Sequence, residues 1–278
     1  MNDRLTSGTL YLVGTPIGNL EDITYRAVRV LQTADLIAAE DTRRTGKLLQ
    51  HFQITTPQIS YHEHNQAMRT AELLDRLRGG SAIALVTDAG MPGVSDPGYE
   101  LVKACVEAGV TAIPIPGVTA AITALAASGL PTERFCFEGF LPAKGKARRD
   151  RLISLQNETR SLILYEAPHR LQQTLVDLAD VLGGDRRLVL ARELTKLHEE
   201  FWRGTVAQAI EQQRHPKGEF TLVVAGASPA DVVLSEDQIK AELRQLIEQG
   251  LTRSQASRQL AQLTNLPRRH LYQLALEE

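Results

Sequence analysis

The chain predicts an α/β protein built of two α/β domains and a short helical domain, and three observations carry that expectation. Over residues 1–116, short apolar runs alternate with amphipathic stretches at the interval of βαβ units, which predicts a parallel sheet. Over 117–228 the strand-like runs continue but crowd together, which predicts a mixed sheet. Over 229–278 the strand signal ends and the pattern is helical, with a turn that resembles a helix-turn-helix.

Thr9 to Val13 reads as the first strand and runs into Gly14-Thr15-Pro16-Ile17-Gly18-Asn19. Gly14 and Gly18 do not form the G-x-G-x-x-G of dinucleotide folds. Thr24 can cap a helix whose inner face is Ala27, Val28, Val30 and Leu31. Leu36 to Ala39 is a second strand, closed by Glu40-Asp41-Thr42-Arg43-Arg44. Such a cluster at a strand's end is usually a solvated helix start, but the loop after residues 82–86 leaves the same edge, which favours a site. The third strand delivers His62-Glu63-His64-Asn65, but H-x-H supplies only two ligands, so no metal is expected.

A helix over 66–78 leads into the apolar run 82–86 and then into Thr87-Asp88-Ala89-Gly90-Met91-Pro92-Gly93-Val94-Ser95-Asp96-Pro97-Gly98. This loop is too long for a simple connection. Its glycines permit close backbone approach, and Asp88 stands at a strand's carboxyl end, where open α/β sheets hold ligands. Asp96 followed by Pro97 reads as an N-cap and first helical residue, with Leu101, Val102, Cys105 and Val106 as the inner face. The strand over 110–115 runs into Pro116-Gly117-Val118-Thr119-Ala120 and an alanine-rich helix.

In the second half, strands are expected at 134–140, 161–165, 187–191 and 219–224. Between Lys144 and Arg151 five basic residues accompany one acidic one. The segment reads as a solvated helix start or as a flexible arm for phosphate that uses Lys144, Lys146, Arg148 and Arg149, and the arm is the favoured reading. Residues 227–231 read as a linker, Thr252 to Gln255 as a capping box, and 263–265 as a turn before a helix bearing Arg268, Arg269 and His270. With six basic and six acidic residues over 235–278, a packing or dimerisation role for the tail fits nearly as well as nucleic-acid binding.

The net charge of -2 gives no bulk positive field. The two cysteines, Cys105 and Cys136, lie in apolar segments and read as reduced thiols. An apolar leader and a spanning run are both missing, so a cytoplasmic protein that does not enter membranes is expected.

The segments 10–24, Asp88-Ala89-Gly90, Pro116-Gly117-Val118-Thr119-Ala120, Glu193-Leu194-Thr195-Lys196 and Gly218-Glu219-Phe220 together resemble the tetrapyrrole methylase superfamily. The resemblance implies S-adenosylmethionine as methyl donor and a cleft between the two α/β domains. It places the donor on Ile17, Asp88, Gly90, Met91, Thr119 and Ala120, and on Tyr165, Ala167, Leu194 and Thr195. Glu40-Asp41-Thr42-Arg43, Asp96-Pro97-Gly98-Tyr99, Phe137 to Pro142 and the helical tail resemble a branch that methylates the ribose 2′-hydroxyl of a cytidine in the decoding region of small-subunit (16S) rRNA. The partner is then that rRNA or the assembled small ribosomal subunit, and the branch implies a homodimer. The superfamily loop usually reads Gly-Asp-Pro; this chain departs from it at Thr87-Asp88-Ala89.

Methyl transfer from a sulfonium is an in-line displacement whose rate comes largely from alignment. It requires no metal. A ribose hydroxyl needs a proton acceptor as the new bond forms, and Asp41, Glu40, Glu63, His62 and Lys196 are all candidates, of which Asp41, Glu40 and Lys196 are carried forward. A tetrapyrrole C-methyltransferase on the same fold and a non-catalytic nucleic-acid-binding regulator are the alternative readings.

Overall fold

The computed structural model describes residues 5–213, 216–228, 234–264 and 266–277. Of the expected linker, residues 229–231 lie outside this set, as does Asn265 in the expected turn. The chain forms two compact units, 1–123 with 193–199, and 124–192 with 200–278.

The first unit holds strands β1 (Thr9–Val13), β2 (Leu36–Ala39), β3 (Gln58–Ser60), β4 (Ile83–Val86) and β5 (Thr111–Ile115), all parallel, in the order β3-β2-β4-β1-β5. Its helices are α1 (Tyr25–Thr33), α2 (Thr42–His51), α3 (Gln66–Arg78) and α4 (Tyr99–Glu107); α5 (Ala120–Ser128) runs from this unit into the next. β2 and β4 are buried at every residue because helices cover both faces, which is why they read as continuous apolar runs. Alternate residues serve opposite faces. Tyr11, Val13, Ile37, Ala39, Ala84 and Val86 pack with α1 and α2, while Leu10, Leu36, Ala38, Ile83 and Leu85 pack with α3 and α4.

That division follows from the strand order. The steps β1 to β2 to β3 go one way across the sheet and the steps β3 to β4 to β5 go back. Right-handed crossovers therefore place their helices on opposite faces. β2 and β4 are neighbours whose connections leave toward opposite faces, a switch point at which a crevice opens beyond the strands' carboxyl ends. Thr24 caps α1 as expected, its Oγ1 accepting from the Ala27 amide at 3.1 Å.

The Asp96 cap is corrected. α4 begins at Tyr99 behind Gly98, whose φ of +144° only glycine adopts without strain, and no side chain caps it. The Gly93 amide donates to the Pro97 carbonyl at 3.1 Å, closing a turn that keeps Asp96 and Pro97 in the loop. Val106 is also corrected: it is exposed, while Leu101 and Cys105 are buried.

The second unit holds β6 (Phe135–Phe140), β7 (Ser161–Glu166), β8 (Arg187–Arg192), β9 (Glu200–Thr205) and β10 (Phe220–Val224), in the order β6-β7-β10-β8-β9. The β6–β7 pair is parallel and the rest are antiparallel, the mixed sheet expected. β9 was not anticipated; Glu-Phe-Trp-Arg-Gly-Thr lacks an apolar run because it is an edge strand. α7 (Pro168–Leu182) and α8 (Val206–Gln212) pack against this sheet around Leu171, Leu175, Leu178 and Val206.

The basic segment forms a helix, α6 (Gly145–Ser154), so the flexible-arm expectation is corrected. Lys144, Lys146 and Arg149 are exposed. Arg148 is buried: it donates to Asp177 at 2.6 Å, to Thr174 Oγ1 at 2.8 Å and to the Pro142 carbonyl at 3.1 Å. Thr174 passes the network on to Glu166 at 2.5 Å. With its donors committed to the interior, Arg148 braces α6 against α7 and is not presented to phosphate.

The tail helices are α9 (Glu236–Glu248), α10 (Arg253–Thr264) and α11 (Arg268–Leu276), packed on their own core of Ile239, Leu243, Ala256, Leu260, Leu271 and Leu274. The capping box holds, with Thr252 Oγ1 accepting from the Gln255 amide and Gln255 Oε1 from the Thr252 amide. No helix among the described residues is long and apolar enough to cross a membrane.

Candidate active site

In the first unit, four loops converge beyond the strands' carboxyl ends. The loops after β1 and β4 are joined directly: the amides of Thr15 and Gly90 donate to each other's carbonyls at 2.9 and 3.0 Å. Thr15 Oγ1 adds a bond to the Thr87 carbonyl at 3.0 Å. The loop after β5 meets them through glycine. A Cβ at Gly14 would lie 2.7 Å from Gly117 Cα and 2.7 Å from Met91 Sδ, so a side chain there would displace backbone. Gly90, at φ +82°, faces Ile17 Cγ2 and the Val118 carbonyl at 3.8 Å from its would-be Cβ. Thr119 caps α5, its Oγ1 accepting from the Ile122 amide at 3.4 Å, and Ala120 begins the helix.

The fourth loop is 193–196, distant in sequence but part of this unit. It sits on Gly18, whose would-be Cβ would strike Lys196 and lie 3.0 Å from Thr195 Oγ1 and 3.2 Å from the Leu194 carbonyl. Glu193 and Thr195 hold φ of +50° and +67°, a region that a β-branched threonine occupies only when its surroundings impose it.

Around these loops, Thr87 Oγ1, Asp88 Oδ1 and Thr195 Oγ1 are buried without a hydrogen-bond partner. Buried polar atoms are normally paired. Unpaired acceptors and hydroxyls, beside glycine backbone and the apolar Ile17, Met91 and Leu194, suit a zwitterionic amino acid carrying a nucleoside. Seven of the residues expected to hold S-adenosylmethionine, plus Asp88, are thus in the first unit: Ile17, Gly90, Met91, Thr119, Ala120, Leu194 and Thr195. Tyr165 and Ala167 are in the second, Tyr165 at the end of β7 between the Phe137 and Phe140 rings, at 5.0 and 5.6 Å.

The charged groups gather where β2 and β4 end. Glu40 Oε2 accepts the Asp88 amide at 3.1 Å, and Arg44 reaches Asp88 Oδ2 at 3.1 Å. Burial, opposed by the Asp88 amide and helped by the Asp88 carboxylate, raises the Glu40 pKa. Asp41 does otherwise. It caps α2 through the Arg43 amide at 2.8 Å and grips the Arg43 guanidinium at 3.1 and 2.7 Å, which holds its carboxyl well below the usual range. Lys196 is engaged by Glu193 at 2.8 Å. His62 bonds within its own turn through Asn65, and no cluster of metal-ligating side chains occurs among the described residues.

Asp96 is a member of this cluster that the sequence did not reveal, since Asp-Pro ahead of a helix mimics a cap. Burial, then the Glu40 and Asp88 carboxylates, push it up to about 7 from an ordinary 3.8. A carboxyl raised on folding stabilises the protein fully below its unfolded pKa and loses that contribution as pH rises toward 7. Asp96→Asn is therefore expected to gain ~1–2 kcal/mol over wild type at pH 8, after allowance for solvent screening, and nothing at pH 4. Thermal melts at the two pH values check this; an equal gain at both would show that the carboxyl is not strained by its neighbours.

Residues 9–210 match the family model of tetrapyrrole (corrin/porphyrin) methylases. The chain is 64% identical to the ribosomal RNA small subunit methyltransferase I of Synechocystis sp., over 97% of this chain and 98% of that one. It is 49% identical to the protein of the same name from Halalkalibacterium halodurans, over 99% and 97%. Among solved structures, the uroporphyrin-III-C-methyltransferase of Thermus thermophilus superposes with a TM-score of 0.57 at 25% identity, covering 78% of this chain and 94% of that one. A structure of the Thermus thermophilus enzyme complexed with S-adenyl homocysteine superposes with a TM-score of 0.55 at 20% identity, which shows the shared fold. The chain belongs to the tetrapyrrole methylase family, in the group formed by the ribosomal RNA small subunit methyltransferases I.

Proposed function

We propose that this protein is an S-adenosylmethionine-dependent methyltransferase acting on the ribose 2′-hydroxyl of a cytidine in the decoding region of 16S rRNA, as a cytoplasmic homodimer and without a metal. The observation that carries the reading is the near full-length identity to rRNA methyltransferases, tail included. The converging glycine loops and the unpaired Thr87, Asp88 and Thr195 oxygens support donor binding in the first unit. When bound, the donor supplies an electrophilic methyl group on a sulfonium.

The protein's own residues then have two tasks. Glycine backbone and the Thr15–Gly90 ladder fix the loops, which limits the freedom that alignment must otherwise overcome. A carboxylate takes the hydroxyl proton, and Glu40 suits this best of the three candidates. Its pKa is raised toward the working pH, whereas Asp41 is locked in a bidentate pair and Lys196 is held by Glu193. Arg44 and the exposed Arg43 would meet phosphate beside it, and Lys146 and Arg149 on α6, with Lys144 just before it, offer a second cationic surface. A tetrapyrrole C-methyltransferase shares the fold but leaves the tail without a use.

The test is transfer of labelled methyl to purified small ribosomal subunits, to naked small-subunit rRNA and to a tetrapyrrole. Label on the ribose of one cytidine is expected. Label on the tetrapyrrole, or on a base, overturns the assignment.

A further inference from the structure

The tail's balance of six basic and six acidic residues conceals a strong separation of charge. Its carboxylates are Glu236, Asp237, Glu242 and Glu248, all on α9, and the terminal pair 277–278. From Gln249 to Leu276 there are four arginines and one histidine and no acidic residue. Arg253 and Arg258 lie on α10, Arg268 and Arg269 on α11, and all four are exposed. Among the described residues none of the four forms an ion pair; Arg268 spans the two helices with a 2.8 Å bond to Ser254 Oγ.

The helical pattern explains why the cations share the outside. Leu271, Leu274 and Ala275 turn α11 inward, which leaves Arg268, Arg269 and Tyr272 outward, and Ala256 and Leu260 do the same for α10. No side chain caps the N-terminus of α11 beside Arg268 and Arg269, so its positive end adds to theirs. Guanidiniums free of ion pairs on two helices packed over a common core, with the exposed Tyr272 on the same helix as Arg268 and Arg269, match a phosphate backbone with a base to stack.

The comparisons single out the same region. The family model stops at residue 210, and the Thermus C-methyltransferase, covered over 94% of its own length, accounts for only 78% of this chain. The rRNA methyltransferases match over 97–99% of it. About a fifth of this chain has no counterpart in that C-methyltransferase, whereas the relatives named for an RNA substrate match nearly all of it.

We propose that the α10–α11 face is an RNA-docking surface that binds the substrate rRNA backbone outside the methyl-transfer site. The inference rests on the rRNA reading above. Its test compares the full-length chain with a variant carrying Arg253→Gln, Arg258→Gln, Arg268→Gln and Arg269→Gln, and with a second variant carrying lysine at the same four positions. Binding of a small-subunit rRNA transcript is measured across salt concentrations, with donor affinity measured alongside. The glutamine variant is expected to bind RNA at least tenfold more weakly and to flatten the slope of log K against log salt by up to about 3, since up to four counterion-releasing contacts are lost. The lysine variant should keep the slope, and donor affinity should not move in either. An unchanged slope and affinity in the glutamine variant overturns the proposal and leaves the face to a protein partner or a second copy. Failure of the rRNA reading shows separately, as absence of methyl transfer by wild type, because the salt slope is read without any transfer.

Discussion

Gly14→Ala and Gly117→Ala are each expected to weaken S-adenosylmethionine binding about 10- to 100-fold. The reason is steric and mutual. A Cβ on Gly14 would stand 2.7 Å from Gly117 Cα, and one on Gly117 would stand 2.8 Å from Gly14 Cα and 2.9 Å from its carbonyl carbon. Neither neighbour is the movable end of a side chain, so the loops after β1 and β5 must separate. Overpacking of this kind costs about 1–3 kcal/mol, and each 1.4 kcal/mol is about tenfold in affinity. The displacement also carries Met91, whose Sδ lies 2.7 Å from the Gly14 Cβ position, away from its place in the proposed donor site. Gly109→Ala separates this from a general loss of stability. Gly109 has φ +70° and open space around it, so alanine there is strained but far from any closing loop. It should lower the melting temperature and leave donor affinity alone. Titration calorimetry with the donor, beside thermal melts, measures both; full affinity in Gly14→Ala and Gly117→Ala would place the donor elsewhere.

What was legible in the sequence was whatever burial writes into local composition. β1, β2, β4 and β10 are covered on both faces, and their apolar runs stand out for that reason. β9 is an edge strand carrying Glu200 and Arg203, so no such run marks it. Arg148 shows the limit of counting charges. It lies on the same stripe of α6 as Leu152, with Leu155 continuing the line, and that helical phase was the available signal that its guanidinium turns inward. The meeting of Glu40 with Asp88 depends on β2 and β4 being neighbours, although β3 and α3 separate them in the chain. The 193–196 turn belongs to the first unit although three strands of the second precede it in the sequence, and only the folded chain shows its contact with Gly18.

Glu40→Gln is expected to lower turnover on rRNA about 10²- to 10⁴-fold, the range by which a positioned proton acceptor contributes. The substitution is a clean one at this site. Glu40 Oε2 accepts the Asp88 amide at 3.1 Å, and the glutamine carbonyl oxygen can accept the same bond, so the loop after β4 keeps its anchor. What glutamine cannot do is take a proton. Donor affinity should therefore stay within about twofold, and the loss should fall on kcat, the signature of an interaction made only during the reaction. The pH profile supplies an independent mark. Because burial raises the Glu40 pKa, wild-type turnover should climb with pH through a limb lying above the ordinary glutamate value of 4.5, as the carboxyl loses its proton. The variant's residual turnover should lack that limb. Asp41→Asn makes the comparison decisive: asparagine caps α2 nearly as well, and the group removed is one that Arg43 already holds well below the usual range. Its turnover should stay close to wild type. Full turnover in Glu40→Gln, or a larger loss in Asp41→Asn, would take the proton away from Glu40 and overturn its assignment.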